Sequence, residues 1–98
     1  MLFHVIAKHS YETCPGVQHG PESAEVKEMT QWMEGNDDVK IVGVWGYNVS
    51  HTVFAVVEAN DIQKITAILR PQMARGNVEV LPVTDAIAVR KERGHWGK

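Results

Sequence analysis

The chain has 98 residues, 44% hydrophobic and 22% charged, with 10 Lys and Arg against 12 Asp and Glu for a net charge of −2. That length implies one domain with a thin core, about 65% of the unfolded surface leaving water on folding. The balanced charge gives no basic field for a polyanion, no apolar run approaches the ~20 residues of a bilayer span, and a single cysteine excludes an intrachain disulfide. The expectation is a cytoplasmic protein that binds neither nucleic acid nor membrane.

The opening MLFHVIAKH lacks a basic leader and reads as a strand over Leu2–His9. Leu2, His4, Ile6 and Lys8 alternate with Phe3, Val5, Ala7 and His9. Residues 10–20 read as loop, with turn signals at Cys14-Pro15-Gly16 and Gly20-Pro21. A helix is expected from Pro21 to about Glu34, with Val26, Met29, Trp32 and Met33 on its buried stripe and Gly35-Asn36 as its stop. Val39–Tyr47 is the second strand, with Ile41, Gly43, Trp45 and Tyr47 on one face and Val42 and Val44 on the other. Asn48-Val49-Ser50 turns the chain into a third, nearly all-apolar strand over His51–Glu58.

Asn60 with Gln63 reads as the capping box of a second helix, whose stripe is Ile62, Ile65, Ile68 and Leu69 and which Pro71 ends or kinks. Val78–Val83 is the fourth strand, placed at a sheet edge by Pro82. Thr84-Asp85 caps a short helix running to about Arg93, and GHWGK forms a tail whose Trp96 is available to a partner. Residues 1–83 are the core of one domain over 1–98, with 84–98 as helix and tail.

The order β-α-β-β-α-β is the ferredoxin-like α+β arrangement: an antiparallel sheet with two helices on one face. Right-handed crossovers place the third strand between the first and second, and the fourth beside the first. The other sheet face is left bare and apolar, so a second copy is expected to cover it.

MLFHV, GYNVSHTVFAVVEA and PQMARGNVEVLPV resemble the dimeric α+β barrel superfamily, and within it the muconolactone isomerases. The resemblance implies a homodimer with facing sheets, sometimes a larger homo-oligomer, and a small-molecule pocket in each subunit. No catalytic residue is carried over from it.

The topology brings His9, at the end of the first strand, beside His51, at the start of the third. Tyr47, the Cys14 segment and the end of the second helix share that rim. Three chemistries fit. Proton transfer without a cofactor would use His9 or His51 as acid and base, with Tyr47 or Lys8 as hydrogen-bond donor. An anionic substrate would rest at the first helix's N-terminus or on Arg70 or Arg75, and His4 and Trp45 would line the pocket. A metal site for zinc or copper would use His9, Cys14 and His19, with His51 as a further ligand. Nucleophilic catalysis would use Cys14 activated by a neighbouring imidazolium. The plain structural alternatives are a polar loop and a cysteine packed on Pro15. The leading expectation is an isomerase-like, cofactor-free enzyme acting on a small organic acid or lactone. The alternatives are the metal-binding protein and a non-catalytic binding or assembly subunit.

Overall fold

A computed structural model describes residues 1–98. Four strands, β1 (Leu2–His9), β2 (Val39–Tyr47), β3 (Thr52–Ala59) and β4 (Gly76–Val83), form one sheet in the order β2-β3-β1-β4 with every pairing antiparallel. This is the expected ferredoxin-like α+β fold. Phe3, Val5 and Ala7 of β1 and Ala55, Val57 and Ala59 of β3 are buried, and Phe3, Val5, Ala55, Val57 and Ala59 pack with Val39, Trp32, Ile65 and Leu69 in one cluster. The alternate residues face away from the helices.

Several elements begin or end elsewhere than expected, each for a local reason. Residues 10–20 are not open loop. A 3-10 turn over Tyr11–Thr13 leads into α1 (Pro15–His19), for which Pro15 supplies a preset φ near the start. Next comes α2 (Ala24–Thr30). Its N-cap is Ser23, whose Oγ accepts from Val26 N at 3.3 Å, so Pro21 lies outside the helix. Its last turn tightens to a 3-10 segment over Gln31–Glu34, closed at Gly35 with φ 73°. Asp61 rather than Asn60 caps α3 (Ile62–Ile68), accepting from the backbone N–H of Gln63 and Lys64. Of the end or kink expected at Pro71, the kink is found. The chain breaks at Leu69 and restarts as α4 (Arg70–Met73). Strand β4 starts at Gly76 rather than Val78, and α5 (Ala86–Glu92) is capped by the Asp85 carboxylate through Ala88 N.

The second strand departs from simple alternation. The register shifts between Ile41 and Gly43, and Val42 is the extra residue. Ile41 and Val44 therefore pack against the core, while Trp45 and Tyr47 fall on the open face opposite Phe54 and Thr52. The expectation that Ile41 and Trp45 share a face fails at this bulge.

Only 14 of 98 residues are buried, so one layer of helices over one sheet face supplies the whole core. The Cα radius of gyration is 15.6 Å, against about 13 Å for a compact chain of this length, because the molecule extends to 52 Å. Every residue of α5 except Val89 is exposed.

Gly76 lies where β4 crosses β1 opposite His9. A Cβ there would overlap the Lys8 carbonyl oxygen and sit 2.7 Å from His9 Cα, both backbone atoms that cannot swing aside. Gly76→Ala is expected to destabilise the protein by about 1–3 kcal/mol in chemical denaturation. It should also shift the His9 backbone amide signal, whereas Gly94→Ala, with nothing within 4 Å, should leave that signal in place.

Candidate functional site

The end of β1 and the entry to β3 are joined by backbone: His9 N–H donates to His51 O at 3.2 Å. His9 is in phase with Phe3, Val5 and Ala7, so its ring lies on the helix side of the sheet. His51 follows the 3-10 turn over Asn48–Ser50 and adopts φ 51°, ψ 44°, a left-handed conformation in which histidine is over-represented among non-glycine residues. The two rings meet edge to face, centroids 5.0 Å apart, with His51 Nδ1 3.3 Å from His9 Nε2. One nitrogen donates and the other accepts, according to tautomer.

Cys14 joins them from the start of α1. One ligand atom from each of His9, Cys14 and His51 lies within 4.8 Å of the others. The segment that carries the thiol is tied down by Arg75, whose Nη1 donates to Thr13 O at 3.4 Å and to Gln18 Oε1 at 3.3 Å. Gln18 Nε2 in turn donates to the Glu12 carbonyl.

His9, Cys14 and His51 open onto a cavity of about 540 Å³ between α1, α2 and the sheet. Its walls include Val26, Met29, Met33 and Val53, with Thr30, Asn48, Thr52 and Gln72 as polar members. The volume falls within the usual range for small-molecule sites. Another depression of similar volume, over Lys27, Glu28, Gln31 and Glu34, is charged helix surface with no converging groups.

Burial is the main cause that holds the His9 pKa below its ordinary value of 6.5, followed by the neighbouring His51 and then Arg75. The imidazole is therefore neutral at neutral pH, the form that binds a metal or accepts a proton. Its Nδ1 is buried without a partner, as is Nε2 of Gln72. Unmet buried groups of this kind cost on the order of 1–3 kcal/mol each.

The other residues singled out from sequence lie elsewhere. His19 is exposed at the C-terminal end of α1 and is not in the ligand cluster; His51 occupies the place expected of it. The expected ligand set thus changes by one residue, because residues 15–19 wind into a helix that carries His19 away from Cys14. His4, Trp45 and Tyr47 belong to the open sheet face, where His4 stacks on Phe54 at 6.5 Å between centroids. They are not in the cavity. Arg70 is exposed on α4, and Arg75 braces the thiol segment. Gln72 escaped the sequence reading. The available signal was a glutamine at a core position of the stripe Ile65, Leu69, Gln72.

An antiparallel four-stranded α+β domain with a histidine–cysteine cluster at one end of its sheet defines the class. The chain belongs to the family described as a domain of unknown function, DUF3303, whose model matches residues 1–92. No curated protein matches it. Among solved structures it is similar to the crystal structure of SCO4226 from Streptomyces coelicolor A3(2), with a TM-score of 0.50 and 9% identity over 86% of this chain and 99% of that one. At that identity the likeness shows the fold alone. No helix is long and apolar enough to cross a membrane.

The lowered His9 pKa makes metal-free protein acid-sensitive in a defined sense. Between the lowered value and 6.5 the unfolded chain binds the proton that the fold resists, so acid favours unfolding. The stabilisation is complete above about 6.5 and is lost as pH falls through the folded value. Urea denaturation across that window should show stability falling with pH, and a shallower fall in His9→Gln.

Proposed function

We propose that the protein binds a zinc or copper ion through His9, Cys14 and His51, with a fourth position open to the cavity. The observation that carries this reading is the 3.3 Å separation of His51 Nδ1 and His9 Nε2 beside the Cys14 thiol. A tetrahedral ion with Zn–N bonds of about 2.0–2.1 Å holds its two nitrogens roughly 3.3–3.4 Å apart. The same ion sets sulfur roughly 3.6 Å from each nitrogen, within reach of a small adjustment of the α1 N-terminus. Two imidazoles and one thiolate suit borderline and soft ions. Three protein ligands and an exchangeable position are the pattern of ions that polarise a carbonyl or activate water.

His51 supplies a discriminating test. Its left-handed backbone costs of order 1–3 kcal/mol in a non-glycine residue, and glycine adopts it freely. His51→Gly is therefore expected to fold at least as stably as wild type while losing near-stoichiometric zinc or copper. Cobalt-loaded wild type should show a thiolate charge-transfer band that Cys14→Ser abolishes and His19→Ala leaves intact. Protein that stays empty when challenged with these ions, or that loads equally well without Cys14, would falsify the reading.

A second reading is proton transfer of the kind the likeness to muconolactone isomerases implies, and the neutral His9 paired with His51 at the cavity wall favours it. Metal-free protein should then exchange solvent deuterium into a β-keto ester or lactone, with His9→Ala abolishing exchange; the metal reading expects none from the apo form.

Under either reading we propose a homodimer through the open sheet face. Trp45, Tyr47, Phe54, Leu81 and Val83 are exposed there, and Ile87 of α5 is exposed as well. Covering such a face with a second copy supplies the apolar burial that a core of 11 hydrophobic residues lacks. Sedimentation should give a dimer for wild type and a monomer for Phe54→Glu. A wild-type monomer at high protein concentration sinks this reading.

A further inference from the structure

The two buried polar side-chain atoms without a hydrogen-bond partner, His9 Nδ1 and Gln72 Nε2, belong to residues that line the same cavity. Gln72 is only 2% exposed. The orientation of its amide is fixed by chemistry. The indole N–H of Trp32 is a donor only, so the atom it meets at 3.3 Å is Gln72 Oε1. Nε2 is left with two N–H groups and no acceptor. Buried donors in folded proteins are almost always paired, and this one, covered at the cavity wall, would pair with a ligand atom that displaces the side chains over it.

We propose that the cavity binds a neutral organic molecule bearing a carbonyl oxygen, and that Gln72 Nε2 donates the hydrogen bond that receives that oxygen. The proposal does not rest on the metal reading, since Gln72 lies outside the ligand set. The charge of the ligand follows from the walls. None of the 15 lining residues is Lys, Arg, Asp or Glu. In the metal-free protein a carboxylate placed there would lose water with no lysine or arginine to pair with, whereas a ketone, ester or lactone oxygen needs one donor. Arg75, the cation felt by His9, has its Nη1 directed at Thr13 and Gln18. Met29, Met33, Val26 and Val53 give the apolar body of the ligand its contact surface. Gln72 is thus a binding residue that selects for a carbonyl group over a hydrocarbon of the same shape.

The test uses the metal-free protein and paired probes of similar shape in which a hydrocarbon group replaces the carbonyl: acetophenone against ethylbenzene, and cyclohexanone against methylcyclohexane, with benzoate as the anionic probe. Titrations are followed by two-dimensional 1H–15N spectra. Each ketone is expected to bind roughly ten-fold more tightly than its hydrocarbon, the equivalent of one well-formed hydrogen bond. It should move both the Gln72 side-chain amide pair and the Trp32 indole N–H. Benzoate should bind more weakly than acetophenone, and Gln72→Met should bring the ketones to the level of the hydrocarbons. Equal affinity within each pair, no binding of any probe, ketone binding that leaves the Gln72 amide unmoved, or tighter binding of benzoate would overturn the proposal. Gln72→Met also removes the acceptor of Trp32, so if that variant does not fold, the wild-type probe pairs decide. With no ion present, the result stands apart from success or failure of the metal reading.

Discussion

The pairing of β1 with β3 is the constraint on which both the core and the site depend. It runs from Leu2 opposite Glu58 to Lys8 opposite Thr52, and the backbone bond from His9 N–H to His51 O extends it one step beyond the last paired residue. Because side chains alternate along a strand, that register puts Phe3, Val5 and Ala7 under the helices and fixes His9 on the same side. A slip of one residue would turn His9 to the opposite face together with the whole apolar row. The ring contact between two histidines 42 positions apart is therefore held by the same pairing that buries the core.

The two faces of the sheet differ in what they carry, and the bulge at Val42 is what divides them. Val39 and Ile41 point into the core. Without an extra residue, Gly43, Trp45 and Tyr47 would follow them there. With Val42 inserted, Val44 packs inward and the two aromatics turn to the open face. Gly43 then lies under the Trp45 indole, where a Cβ would come 2.5 Å from the ring. The open face gains a broad apolar surface while the cavity side keeps its small, closely packed residues.

The strand order, the helix-covered face and the meeting of His9 with His51 were all legible in the sequence, because hydrophobic alternation and the handedness of crossovers determine them. The convergence of Cys14 on the same rim followed from its position just after β1. What was not legible depended on short-range geometry. The Cys14-Pro15-Gly16 stretch reads equally as a turn or as the start of a helix. Only the helical outcome carries exposed His19 away from the histidine–cysteine cluster and leaves that place to His51. The face of Trp45 and Tyr47 depended on a bulge that leaves no mark in a run of small and β-branched residues. Gln72 was hidden by Pro71, which suggested that the apolar stripe had ended.

The break at Pro71 shapes two walls of the site at once. Pro71 has no N–H to continue the ladder of α3, so the chain bends at Leu69 and begins α4. Gln72 continues the stripe of Ile65 and Leu69 on the core side, where Trp32 fixes its oxygen, and Arg75 reaches the Cys14 segment three residues later. Gly76 then admits the close approach of β4 to His9. Over five residues the chain thus supplies a buried amide to the cavity, a brace for the thiol-bearing segment and the backbone contact behind His9. Pro71 sits in the first turn of α4, where its missing N–H leaves no bond unmade, so the helical stripe runs through the break and delivers the Gln72 amide to the cavity wall.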